Sequence, residues 1–443
     1  MNDWLDAETR AERALQLSES RKWREALNEL EAALAINPHD SLWHAQRGQI
    51  LDQLDQFAEA AEAYRQALEL EPENVDVDTA LGIDLIRIGQ YDQAVRHFEK
   101  ISKTNPDYEP AYCHRIAAYT RMGQHDRAES MFYLAQQINE KCPSCFHHIA
   151  ESLACRGLYA KAVYCWQRTL ELEPDFPCVR QRIAEIHRHE HNYDKAREFL
   201  LAALRRDPGN TDILADLGDL LIEVGDYDGA EAEFRQVLAL DPTSVRAHVV
   251  LGLMASRKDD QETAGRYFQT ALALDPHFPG LRAQIGDIQL RRGHHREALH
   301  HLSLALEDDA NDRIALMAMG NCLLELFRPA EAQIHYESLI ELEPVSAGAG
   351  AHHNLAVCRF LQNDLEGGIL HCQTALEIEP DNVMVIHKLA LAYLHLGRWG
   401  KSREMIRRGL QIQPDHPSLE KLAKQFWLLR IKHNIRQLLR HIQ

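Results

Sequence analysis

No run of 18 apolar residues occurs in the 443-residue chain, so no segment predicts a membrane-spanning helix. The start, Met1-Asn-Asp-Trp-Leu-Asp6, has neither a basic flank nor an apolar stretch, which argues against a secretory signal. With 22 Gly and 16 Pro the chain is too poor in both for collagen-like or low-complexity structure. Nine cysteines are an odd number, and most fall inside helical patterns, so reduced thiols in a cytoplasmic setting are expected rather than a disulfide framework. Catalytic signatures are missing too: there is no Gly-x-x-x-x-Gly-Lys phosphate loop, no Gly-x-Ser-x-Gly elbow and no His-Glu-x-x-His. The expectation is a non-catalytic protein without a cofactor.

Positive charge is also in short supply. Lys and Arg number 49 against 67 Asp and Glu, a net charge of −18. A nucleic-acid partner is not expected, since no basic patch stands out against that field. Protonating all 25 histidines would carry the total to +7. The chain therefore crosses neutrality in mildly acidic solution, and poor solubility is expected near about pH 5–6.

What the chain does have is a period. Pro38, Pro72, Pro106, Pro174, Pro208, Pro242, Pro276 and Pro344 are spaced by 34 or multiples of it. Glu140 and Ala310 fill the two gaps, and after a two-residue insertion the series resumes at Pro380 and Pro414. Twelve repeats thus run over residues 7–416, starting at 7, 41, 75, 109, 143, 177, 211, 245, 279, 313, 349 and 383. Residues 1–6 form a short lead and 417–443 a tail.

Within the repeat, position 20 is always small: alanine from Ala26 to Ala332 in ten repeats, then Gly368 and Ser402. Position 8 is Gly or Ala except at Ile116, and position 24 holds large apolar residues such as Tyr64, Phe98, Trp166, Phe234, Phe268 and Tyr336. Apolar residues follow i, i+3, i+4, i+7 spacing twice per repeat, which predicts two amphipathic helices. Gly89, Gly123, Gly157, Gly225, Gly293 and Gly397 fall between the two, where the chain must turn. No such hairpin buries its apolar face alone, so neighbours must stack.

The 34-residue period, the Gly/Ala–Ala–aromatic pattern and the joints Glu71-Pro72-Glu73, Glu173-Pro174-Asp175 and Glu379-Pro380-Asp381 resemble tetratricopeptide repeats, over about nine-tenths of the chain. The resemblance implies an all-α, right-handed solenoid of twelve hairpins. First helices would line a concave groove for a partner protein or peptide. Two specialisations of the family do not carry over. A chaperone-binding carboxylate clamp would need Lys, Asn and Arg where Ala11, Leu15, Gln46, Asp76 and Ala80 stand. An asparagine ladder is matched only by Asn354.

On that frame, first-helix positions give the groove candidates His148, Arg182, Asp212, Asp216, Asp219, Glu223, Arg257 and Arg291. Asp212, Asp216, Asp219 and Glu223 follow i, i+4, i+7, i+11 spacing, a carboxylate stripe suited to a partner with a basic segment. Arg182, Arg246 and Arg257 stand one period from Asp216, Asp212 and Glu223, so ion pairs between neighbouring repeats are the competing account.

Three irregularities remain. Gly348 and Gly350 mark the insertion, either a longer loop or a hinge. Cys142 and Cys145 form a Cys-x-x-Cys turn that could offer two thiolates to a metal, with His187 and His191 one helical turn apart downstream. No second pair follows at matching spacing, so packing is the simpler account, and His187 reads as an interior histidine. The tail alternates Leu419, Leu422, Phe426, Leu429, Ile435, Leu438, Leu439 and Ile442 with six Lys or Arg. It predicts a capping helix; a basic amphipathic membrane anchor is the alternative. The function expected is a scaffold or adaptor. The alternatives are an accessory subunit presenting substrate to a separate enzyme and a peripheral membrane scaffold. Oligomeric state is left open.

Overall fold

The computed structural model describes residues 2–342 and 348–440, and among them every regular element is an α-helix. The chain divides into two compact units, Met1–Leu220 and Leu221–Gln443. The first opens with a hairpin of α1 (Asn2–Glu19) and α2 (Trp23–Ile36), so helix already covers residues 2–6. Hairpins follow from α3 (Ser41–Gln53) with α4 (Phe57–Leu70), α5 (Val75–Arg87) with α6 (Tyr91–Thr104), and α7 (Glu109–Arg121) with α8 (His125–Ile138). Next come α9 (Pro143–Cys155) with α10 (Tyr159–Leu172) and α11 (Val179–His189) with α12 (Tyr193–Leu204).

The division falls inside α13 (Thr211–Val224). The second unit continues with α14 (Tyr227–Leu240), α15 (Val245–Arg257) with α16 (Gln261–Leu274), and α17 (Leu281–Arg291) with α18 (His295–Asp308). Then come α19 (Arg313–Glu325) with α20 (Pro329–Leu342), α21 (Gly348–Leu361) with α22 (Leu365–Ile378), and α23 (Val383–His395) with α24 (Trp399–Ile412). A last helix, α25, spans Pro417–Arg440.

One turn geometry serves every hairpin. Position 15 of each repeat is left-handed, with φ between 56° and 87°: at the six glycines the sequence marks, and equally at Arg21, Asp55, His191, Asp259, Phe327 and Asn363. A left-handed residue just past a helix end satisfies its last carbonyls, and glycine adopts it without steric cost. Position 34 is the matching start signal. Asp40, Asn74, Asn210, Ser244, Asp312 and Asn382 each accept a backbone N–H from the following first turn, at 3.0–3.4 Å.

The core repeats with the sequence. All ten position-20 alanines are solvent-inaccessible, as is Ser402. Within each unit a second helix packs on the next first helix, and first helices also touch one another: α5 on α7 and α7 on α9, then α17 on α19 and α19 on α21. First helices are thus covered from several sides, which is why their position 8 is Gly or Ala in every repeat but the fourth.

At the C-terminus α25 packs on α24. Leu419 and Leu422 are buried with Ala390 and Ile406, and Phe426 lies edge-on to Trp399 at 5.8 Å. Trp427, Leu428 and Ile431 are exposed. The side chains of Leu429, Ile435, Leu438, Leu439 and Ile442 lie outside the described residues, as do residues 343–347, which hold Pro344 and part of the insertion. Gly348 opens α21 with φ 76°. Among the described residues no helix is long and apolar enough to cross a membrane.

Candidate metal centre and groove surface

The groove candidates of the first compact unit sit on α9, α11 and α13. His148 on α9 is half-buried, its Nδ1 3.7 Å from Glu151 Oε2. Arg182 on α11 pairs within its own helix, to Glu185 at 3.2 Å. Asp212 is exposed, whereas Asp216 and Asp219 are half-buried. Arg182 and Asp216 share a recess of about 320 Å³ with Gln181, Glu185 and Arg188. In the second unit Glu223 is exposed, and the Arg257 guanidinium lies 3.8 Å above the Tyr227 ring. Arg291 pairs with Asp287 at 2.7 Å, and both line a recess of about 850 Å³ between α17 and α19. Ion pairs between repeats do occur: Arg87–Asp52 at 3.3 Å, Arg156–Glu129 at 3.3 Å, Arg206–Asp175 at 2.7 Å and Lys258–Asp228 at 3.1 Å.

The densest chemistry lies at the joint between the fourth and fifth repeats. Glu109 and Cys113 are one helical turn apart on α7 and so share a face. Cys142 immediately precedes α9 and Cys145 lies in its first turn, so Pro143 at the first helical position fixes the turn that brings both sulfurs to one side. The three Sγ atoms and a Glu109 carboxylate oxygen all lie within 4.8 Å of one another. The three cysteines are at most 5% exposed. Cys145 Sγ donates to Glu109 Oε1 at 2.8 Å, and Cys142 Sγ accepts the Cys145 N–H at 3.1 Å.

Bonds from Cys113 and Cys145 hold the Cys142 thiol far below its ordinary value. The Cys113 thiol is pushed up, first by its bond to Cys142, with Cys145 opposing and burial adding, and the Cys145 thiol by its bonds to Cys113 and Cys142 and then by burial. Burial first, then the bond to Cys142, raises the Glu109 carboxyl to about 7.

In the sequence Cys142 and Cys145 stand out as a Cys-x-x-Cys turn, but Cys113 and Glu109 do not, because they lie upstream and form no second pair at matching spacing. The signal was the period itself. Position 5 of one repeat meets position 34 of the same repeat at joint after joint: Thr79 Oγ1 donates to Tyr108 Oη at 3.3 Å, and His147 lies 5.0 Å from Phe176 ring to ring. His387 and His416 repeat the contact in the second unit at 5.8 Å. Cys113 and Cys142 hold those same two positions.

A second group, His147, His148 and Glu151, also has its ligand atoms within 4.8 Å. Burial lowers His147 to about 4, and although burial raises the Glu151 carboxyl, bonding to His148 and the charge of both imidazoles hold it below its usual value. His187 is interior, as expected, stacked on Phe199 at 5.8 Å with its Nδ1 without a hydrogen bond. His191 turns away to bond the Tyr193 hydroxyl at 3.0 Å, so the two do not converge.

One buried acid had no sequence signal at all. Asp84 on α5 is solvent-inaccessible, bonded at 3.1 Å to Arg87, which also reaches Asp52 at 3.3 Å. Tyr64 donates to Asp52 at 2.8 Å. Burial, then the neighbouring Asp52, raises the Asp84 carboxyl to about 7, with Arg87 opposing.

Stacked hairpins with one turn, one cap position and one small-residue seam define an α-solenoid repeat protein. Two family models, both described as tetratricopeptide repeat, match residues 53–112, 189–256 and 258–322 and residues 11–75 and 149–211, together well over half the chain. The chain belongs to the tetratricopeptide repeat family, whose members are generally non-catalytic scaffolds with a protein-binding role. No curated protein matches it in sequence. Among solved structures, the APC/C Cut9–Hcn1 hetero-tetramer is similar at 14% identity and TM-score 0.49, over 93% of this chain and 94% of that one. Yeast Tom70 is similar at 16% identity and TM-score 0.39, over 95% and 99%. Naa15/Naa10 bound to HypK-THB follows at 16% and 0.36, over 96% and 91%.

Proposed function

We propose that this chain is a binding scaffold that does no chemistry itself and receives an extended segment of a partner protein along the face formed by its first helices. The observation that carries the reading is the recess shared by Arg182 and Asp216 between successive first helices. A segment laid across such recesses meets a few deep contacts and a rim of charge, which is how affinity and selectivity divide in peptide recognition. Asp212, Asp216 and Asp219 on one helix favour a partner segment carrying Lys or Arg. The nine cysteines are free thiols, the state a cytoplasmic location would keep.

The test uses labelled extended peptides, basic and acidic, titrated against the full chain and against a variant with Asp216→Lys and Asp219→Lys. Binding of a basic peptide that weakens at least about tenfold in the folded variant supports the reading. Equal binding by both chains, or preference for acidic peptides, sinks it.

A further inference from the structure

We propose that Glu109, Cys113, Cys142 and Cys145 are the four ligands of a zinc ion that clamps the fourth repeat to the fifth. The inference is independent of what binds the first-helix face.

The geometry is that of a closed donor set. Zinc–thiolate bonds of about 2.3 Å in a tetrahedron place ligand atoms about 3.8 Å apart. The present atoms already lie within 4.8 Å of one another, so rotamer adjustments of less than an ångström or so close the site. Two donors come from one helix at i, i+4 and two from a Cys-x-x-Cys turn, so each pair is held by its own backbone. The other buried cysteines are the internal control. Cys165, Cys322, Cys358 and Cys372 belong to none of the donor groups and occupy apolar core positions, as small hydrophobes do.

A second observation comes from the cap. Where six sibling joints use Asp, Asn or Ser to receive the N–H of the following turn, this joint uses Cys142. This joint thus places a sulfur where its siblings place an oxygen, and two further sulfurs and a carboxylate oxygen lie within 4.8 Å of it.

Third, Glu109 is half-buried with thiols and Asn139 as its neighbours and takes part in none of the ion pairs among the described residues. A divalent cation supplies the countercharge that the protein does not.

The donor types choose the metal. Three thiolates exclude calcium and magnesium, which need oxygen, and a hard carboxylate as the fourth ligand disfavours copper(I). Zinc tolerates both and takes four ligands in closed sites. On binding, Zn²⁺ displaces the remaining thiol protons to solvent, and no electron changes hands. Because a solenoid is held together repeat by repeat, a bond across one joint stiffens that joint and little else.

The experiment is metal analysis of the full chain, purified reduced and without chelator, then stripped, and titrated with Zn²⁺ or Co²⁺ alone. The expected result is about one zinc per chain, the closed-site stoichiometry. Co²⁺ should give a sulfur charge-transfer band and tetrahedral d–d bands. Cys113→Ser, Cys142→Ser and Cys145→Ser should each weaken zinc by at least about tenfold, the loss that even an outer partner causes. Glu109→Gln should keep the sulfur bands and bind less tightly. Cys155→Ser and Cys178→Ser should change nothing. The stripped wild type needs no folding control. If it takes up no metal, if zinc survives all three serine variants, or if cobalt shows no sulfur band, the proposal is wrong. A Cys142–Cys145 disulfide that binds no metal after reduction would equally overturn it.

Discussion

The ring of Phe268 stands where a side chain on Gly252 would have to go: its Cε1 lies 2.5 Å from the position of the absent Cβ. The same pair recurs sixteen residues apart at Gly48 with Tyr64 and Gly320 with Tyr336, at 2.5 and 2.6 Å. Where position 24 is smaller, position 8 gains its methyl group, as in Ala14 with Leu30, Ala184 with Leu200 and Ala390 with Ile406. Ala150 with Trp166, Ile116 with Phe132 and Gly286 with Leu302 are the exceptions. In the pairs that follow the rule, the two positions divide one volume.

Gly252→Ala should therefore overpack the seam and lower stability by about 1–3 kcal/mol. Phe268→Leu alone should cost by loss of packing. The double variant should cost less than the sum, since the leucine vacates the space that the methyl group needs. Urea denaturation of the four chains measures this, and strict additivity would contradict it.

Asp84 makes stability depend on pH. Its folded pKa lies above the unfolded value, raised from 3.8 to about 7 by burial and by Asp52. The folded state thus binds the proton more tightly, and its contribution to stability falls as pH rises from about 4 to about 7. Asp84→Asn, which keeps an oxygen for Arg87, should remove that fall and stabilise the chain above the window. Urea midpoints measured across the window check it. An unchanged slope would mean that Asp84 does not hold the proton.

Leu419 seals the last hairpin. It is solvent-inaccessible and fills the space beside Gly409 and Ile386. Leu419→Ala should cost about 2–5 kcal/mol locally, as buried Leu→Ala changes do. In a repeat array that loss should stay near the end, so hydrogen exchange should quicken in α23 and α24 and not in α17. Uniform acceleration along the chain would argue for global cooperativity instead.

The histidines revise the solubility expectation. Burial lowers His301, His335, His352, His353, His371 and His387, as well as His114 and His147. The folded chain then carries less positive charge in mildly acidic solution than composition implies, more than offsetting the two raised acids Asp84 and Glu109. Native isoelectric focusing should give a lower value than the sequence pI of 5.8, and focusing in urea should move up toward it. The same shifts mean that the unfolded chain binds more protons below about 6.5, so stability is lost on acidification there.

The fold was legible because the repeat states each packing rule many times over: Ala26 through Ala332 name one seam, and Gly89 through Gly397 name one turn. Non-glycine turn residues such as Phe327 were invisible singly, since only the shared backbone makes them left-handed. The cluster was half legible. Cys142 and Cys145 are three residues apart in sequence, whereas Cys113 reaches them only because the hairpin folds position 34 back against position 5 of its own repeat. The burial of Asp84 is likewise a property of stacking, which no local pattern of α5 encodes.

One joint earlier, Val75, Thr79, Tyr108 and Ala111 stand a whole period before Glu109, Cys113, Cys142 and Cys145, and the Thr79 and Tyr108 side chains already touch. A chemical device built on such a lattice is transposable by translation. Val75→Glu, Thr79→Cys, Tyr108→Cys and Ala111→Cys copy the donor set without altering a backbone angle in the design, and the number of clamped joints becomes a quantity that sequence can dial.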